Sequence, residues 1–168
     1  MTPLVRNGVV LALCHVAIVS SLAVKLEIDR ATRPRVWARA MPFDPNLPIR
    51  GRYVRLALEV GGDAVHPADN GVSWFPVSLA VRNGELVAVP AAGSSHVHVR
   101  SATLRAGVRA TILSEPVAYF IPEHVDDPSR RPLGEELWVE VTVPRSGAPR
   151  PIRLGVKKDG VLTPLELN

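Results

Sequence analysis

Residues 7–24 read NGVVLALCHVAIVSSLAV, eighteen consecutive positions without a charge. As a helix this run spans about 27 Å, close to the hydrocarbon thickness of a bilayer at roughly 30 Å. Arg6 and Lys25 bracket it, and their long side chains reach the headgroups on either side. The run has no polar face, so it does not suit the surface of a water-soluble domain. Two readings stand ahead of a third, a buried helix of a soluble domain. One is a retained membrane anchor. The other is a secretory signal with Arg6 as its positive end and Ser21 and Ala23 as small residues at a cleavage site. The run exceeds an ordinary signal core in length, which favours the anchor. Cys14, the sole cysteine, lies inside it. The rest of the chain therefore has neither an internal disulfide nor a cysteine metal cluster.

Charge is distributed unevenly around this segment. Residues 25–55 carry eight Lys/Arg against three Asp/Glu, whereas residues 56–168 carry eleven against thirteen. A basic stretch next to an apolar helix suits anionic lipid headgroups. Nucleic acid is not the expected partner, because basic and aromatic residues interleave only at Trp37 and Arg39 and no recognition motif is present. Taken alone, the positive charge after the run places the following domain on the cytoplasmic side.

Beyond residue 35 no helical period persists for more than two turns. Sixteen prolines and twelve glycines are dispersed through the chain, a pattern of short strands and turns. Strands are expected at 36–41, 52–60, 74–81, 85–90, 97–99, 108–113, 117–121, 137–143, 152–156 and 161–167. Val54, Leu56, Leu58 and Val60 alternate with Tyr53, Arg55, Ala57 and Glu59, one apolar face and one mixed. Asn83 with Gly84, and Asp159 with Gly160, are two-residue hairpin turns, since both members tolerate positive φ. Residues 102–110 are the best candidate for a short helix. The expected architecture is mainly β: an N-terminal transmembrane helix with its basic flank over 1–32, then a small antiparallel β-barrel or β-sandwich over 33–168.

The segment FDPNLPIRGRYVRLALEV (43–60) resembles the membrane-anchored bacterial family named for its GDYxxLxY motif. Asp44 and Pro45 stand at the turn before the motif, and Arg50, Gly51, Tyr53, Val54 and Leu56 stand within it. YFIPE at 119–123 is similar to a later aromatic and Pro-Glu block of that family, and the last hairpin suits its pattern. Two positions depart: Arg52 replaces the acidic residue of the motif, and Leu58 replaces its last aromatic. The resemblance implies a periplasmic domain on an inner-membrane anchor and a multi-pass membrane protein as companion. On topology it outweighs the charge rule. It implies no activity.

No nucleophile elbow, phosphate-binding glycine loop or spaced acid pair is present. Ser94, Ser95 and His96 form a turn running into a strand. His96 and His98 are two apart, a spacing that puts both on one strand face, yet a third ligand (His66 or His124) is not placed nearby by the sequence. No metal or cofactor is expected. Asp126 and Asp127, and Glu135 and Glu136, flank Arg130 and Arg131 as solvated charges. Tyr119, Phe120 and Trp138 read as core aromatics. The candidate binding residues are Arg50, Gly51, Arg52, Tyr53 and Arg55 at the strand entrance, with Tyr119 and Glu123 from the later block. Arginines there suit a carboxylate, a phosphate or an acidic partner. The leading expectation is a non-enzymatic binding or assembly subunit of an envelope complex. The alternatives are a periplasmic module for a small anionic ligand and a hydrolase with an unrecognised site.

Overall fold

The computed structural model describes residues 3–43, 53–62, 74–91, 93, 95–103 and 107–167. The chain divides into two units, Met1–Arg33 and Pro34–Asn168.

The first unit is one helix, α1 (Pro3–Thr32). Proline suits its first turn, where the missing N–H would have no partner in any case. Val5–Thr32 is long and apolar enough to cross a membrane, and none of its apolar window is buried. Polar side chains along it fold back onto its own carbonyls. Ser21 Oγ donates to Ile18 O at 2.8 Å and Thr32 Oγ1 to Ile28 O at 2.7 Å. Such bonds satisfy a hydroxyl where no water is available. The end is closed twice by Arg33. Its backbone N–H donates to Asp29 O, and its guanidinium lies 3.0 Å from Asp29 Oδ1. Pro34 then bars another turn by its clash with the preceding residue.

The second unit is all strands: β1 (Arg35–Pro42), β2 (Tyr53–Leu58), β3 (Phe75–Arg82), β4 (Glu85–Pro90), β5 (His98–Thr103), β6 (Arg109–Leu113), β7 (Val117–Phe120), β8 (Glu135–Thr142), β9 (Arg150–Lys158) and β10 (Val161–Pro164). They form a six-stranded sheet ordered β10-β9-β8-β1-β2-β7 and a four-stranded sheet ordered β4-β3-β5-β6. Every pairing is antiparallel. Both hairpin turns form with positive φ at their first residue, 53° at Asn83 and 50° at Asp159.

The two inner faces supply the core. Leu56, Leu58, Val139, Val141 and Leu154 from the larger sheet and Val77 and Val99 from the smaller are fully buried. A segment with no ladder of its own ties the sheets together. Beyond β2 the chain leaves β1, where Glu59 N still donates to Arg39 O, and crosses to the other sheet. Val60 N donates to Thr111 O of β6, Gly61 N to Leu86 O of β4, and Ala88 N returns a bond to Gly61 O. Both edges of the smaller sheet are thereby bonded to the tail of β2. Gly62 completes the crossing at φ 126°, where an added Cβ would lie 2.8 Å from Ala88 O. The larger sheet curls until β7 approaches β9, but the two strands do not pair. Of the two architectures expected, the structure has two packed sheets and no closed barrel.

Two expectations are corrected here. The short helix expected over 102–110 does not span those residues: Ala102 and Thr103 end β5, Arg109 and Ala110 begin β6, and these residues pair with one another, while 104–106 lie outside the described residues. Cross-strand pairing overrides the helix preference at the two ends of this stretch. The last strand stops at Pro164 rather than 167, because Pro164 has no N–H to extend a ladder. Leu165 N then makes a last bond to Leu154 O, and Leu165 and Leu167 pack on the core.

Candidate functional site

Alternation fixes what the larger sheet shows to solvent. On β1 the inward residues are Val36, Ala38 and Ala40, leaving Trp37, Arg39 and Met41 outside. On β8 the inward set Leu137, Val139 and Val141 leaves Glu136, Trp138 and Glu140 outside. Antiparallel register then sets Trp37 beside Glu140 and Glu140 beside Arg153, Arg39 beside Trp138 and Trp138 beside Gly155, and Glu136 beside Lys157.

Within this face most charges and aromatics pair with one another. Arg153 Nε donates to Glu140 Oε2 at 2.7 Å, and its guanidinium lies 5.4 Å from the centre of the Trp37 ring. Lys157 Nζ lies 4.7 Å from the centre of the Trp138 ring, whose Nε1 donates to Glu136 Oε2 at 3.1 Å. Arg39 is 3.0 Å from Glu136 and 3.6 Å from Glu59. Gly155 makes room for this arrangement, since an added Cβ would lie 2.8 Å from the Trp37 ring. Cations over ring faces and paired carboxylates make a stable outer surface with little left to bind a ligand.

The β2–β7 end of the same sheet differs. Tyr53 and Arg55 face outward, as their alternation requires, and stand opposite Phe120 and Ala118 of β7. Tyr53 is 39% exposed and Phe120 is 72% exposed. Phe43 returns to this end by donating its N–H to Arg55 O, and the Arg55 guanidinium sits 4.9 Å from the centre of the Phe43 ring. Among the described residues Arg55 has no carboxylate partner. Among the described residues, Phe43, Tyr53, Arg55 and Phe120 thus form an aromatic patch around a guanidinium without a carboxylate partner. Tyr, Phe and Arg are the residue types enriched at protein interfaces.

Of the residues singled out in the sequence, Arg50, Gly51 and Arg52, with Asp44 and Pro45 of the preceding turn, lie outside the described residues. Tyr53 and Arg55 share the patch. Tyr119 is opposite Val54 and packs against the core, on the other face from Tyr53 and Arg55. Glu123 is exposed in the turn after β7. Phe120 and Trp138, expected in the core, are on the outer face. Each follows an inward-facing neighbour (Tyr119, Leu137), and a period of two puts it on the far side. Phe43 and Phe120 are the patch residues that sequence reasoning missed, although the alternation of Phe120 with Tyr119 was there to be read.

His96 precedes β5 rather than lying on it, and the His98 ring stands 6.3 Å from Trp74, tilted by 57°. Among the described residues no group of three metal-ligating side chains gathers. His66 lies outside the described residues, as does Ser94. A cleft of about 1070 Å³ opens between the 127–134 loop, the start of β8 and the β9–β10 turn. Its charges are mixed in sign: Arg130 is 3.7 Å from Asp127 and Arg131 3.9 Å from Glu135. It offers no concentrated field to one class of ligand. Compared with family models, with curated proteins and with solved structures, the chain matches none.

Proposed function

We propose that this chain is a membrane-anchored, non-enzymatic binding subunit of a bacterial envelope complex. Its helix is held in the inner membrane, its β-unit lies on the periplasmic side, and a multi-pass membrane protein is its companion. The apolar helix supports the anchor, and the likeness of residues 43–60 to the GDYxxLxY motif supports the side and the companion. The observation that carries the binding role is the β2–β7 patch. Phe120 is 72% exposed beside Tyr53, and Arg55 has no carboxylate among the described residues. Large exposed aromatics are costly in water, and beside an arginine they are typical of surfaces that a partner covers.

The test is purification of the C-terminally tagged, full-length chain from its native membranes in mild detergent, with intact mass spectrometry. The expected result is an uncut chain with one stoichiometric multi-pass partner. Replacing Phe120 by Lys together with Arg55 by Glu lowers recovery of that partner by about tenfold or more while leaving the β-unit folded by circular dichroism. A chain beginning near Val24 and recovered alone from the soluble fraction would overturn the proposal. Arg55 also favours a second reading, a small anionic ligand at the patch. Phosphate or a dicarboxylate that raises the melting temperature of the wild type but not of Arg55→Gln would select it.

A further inference from the structure

His15 lies near the middle of the uncharged run 7–24, about 12 Å along the helix from its start and about 13 Å from its end. On the anchored reading, on which this inference rests, that is the depth at which water is least available. His15 Nδ1 is 2.8 Å from Leu11 O, one turn earlier. A carbonyl oxygen can only accept, so Nδ1 carries a proton, and the tautomer of the ring that bears its one proton there has its acceptor at Nε2. Among the described residues Nε2 has no partner. The hydroxyls of Ser21 and Thr32, by contrast, are satisfied within their own helix. An acceptor left unpaired at that depth costs free energy, and polar side chains within a membrane characteristically face a partner.

We propose that Nε2 of His15 accepts a hydrogen bond, at mid-membrane depth, from a hydroxyl, amide or indole N–H on a transmembrane helix of a different protein. A second copy of this chain does not supply that donor. Symmetric pairing through this face would set two Nε2 acceptors against each other. Gly8, Ala12 and Val19 lie on the His15 face by helical spacing, and nothing stands within 4 Å of where a Gly8 Cβ would be. Small residues beside a polar one let a neighbouring backbone come close enough for the bond.

The experiment uses the full chain in its native membranes, with a photo-crosslinking phenylalanine analogue placed singly at Ala12 or Val19, on the His15 face, and at Leu13 or Ala17, on the opposite one. Adducts are expected at Ala12 and Val19. The captured peptide is an apolar segment of another protein that carries a Ser, Thr, Tyr, Asn, Gln or Trp at the contact. His15→Leu lowers the yield at both positions by about tenfold, and His15→Gln, which keeps an acceptor at similar reach, restores most of it. Adducts joining two copies of this chain, adducts equal on both faces, or yields indifferent to His15→Leu would each overturn the inference. Nitrogen NMR of His15 supplies a second check, since an Nε2–H tautomer would also sink it. A chain released by a carbonate wash refutes the anchored reading itself. A chain that stays in the membrane without face-specific adducts refutes only this contact.

Discussion

Gly155 sits in the middle of β9, at a φ open to any residue, so backbone propensity and packing predict opposite signs for Gly155→Ala. Propensity favours alanine in a strand interior by roughly 0.5–1 kcal/mol. Packing opposes it. An added Cβ would lie 2.8 and 3.0 Å from two carbons of the Trp37 ring and 3.1 Å from Thr163 O. The ring has little freedom to withdraw, because Arg153 lies over it and Glu140 holds Arg153 at 2.7 Å. Forcing one carbon into such a site costs about 1–3 kcal/mol, so the net expectation is a loss of about 0.5–2 kcal/mol. For a chain of this size each kcal/mol is worth about 2–4 °C in melting temperature. The assay is urea unfolding of the full-length protein, followed by circular dichroism, in the wild type and in Trp37→Ala. With the ring removed only the Thr163 contact remains, and the cost of Gly155→Ala should shrink to near zero or change sign. A gain in stability from Gly155→Ala in the wild type would refute the reasoning. An equal loss with and without Trp37 would place the strain elsewhere.

Leu56 is fully buried between the sheets, and Leu56→Ala is expected to lower the unfolding free energy by about 2–5 kcal/mol, read from the urea midpoint at constant slope. Asn83 holds φ 53° in the β3–β4 turn: Asn83→Gly should leave stability within about 0.5 kcal/mol, whereas Asn83→Val should cost about 1–2 kcal/mol, and equal effects would show that the turn conformation is not limiting.

The parts of this fold that could be read in the sequence are those set by neighbours along the chain. Asn83 and Asp159 announce their hairpins because the requirement for positive φ is local. The alternation of 53–60 gave the core face of β2 and the outward direction of Tyr53 and Arg55. The same rule placed Phe120 and Trp138 outside, but the habit of assigning aromatics to the core obscured it. What could not be read is set by distant partners. Nothing in Glu59, Val60 or Gly61 signals that this short tail bonds to both edges of the other sheet, so barrel and sandwich stayed equivalent until the pairing was seen. The stretch 102–110 looked helical because its composition suits a helix; Ala102 instead pairs with Ala110, where β5 runs on beyond the strand expected at 97–99. Of the binding site, Tyr53 and Arg55 were legible, while Phe43 and Phe120 join them through β1–β2 and β2–β7 register.

The register of β1 has a consequence for biosynthesis. Trp37 pairs with Glu140, so the central strand of the larger sheet lacks its β8 neighbour until roughly 100 more residues have been made, about 5–20 s at ordinary translation rates. Through that interval Val36, Ala38 and Ala40 are apolar strand residues with β2 as the one sheet neighbour yet synthesised. The folded domain hides this strand at the centre of a sheet. The nascent chain must keep it from other chains until its last quarter emerges, and that wait is its period of greatest exposure to aggregation.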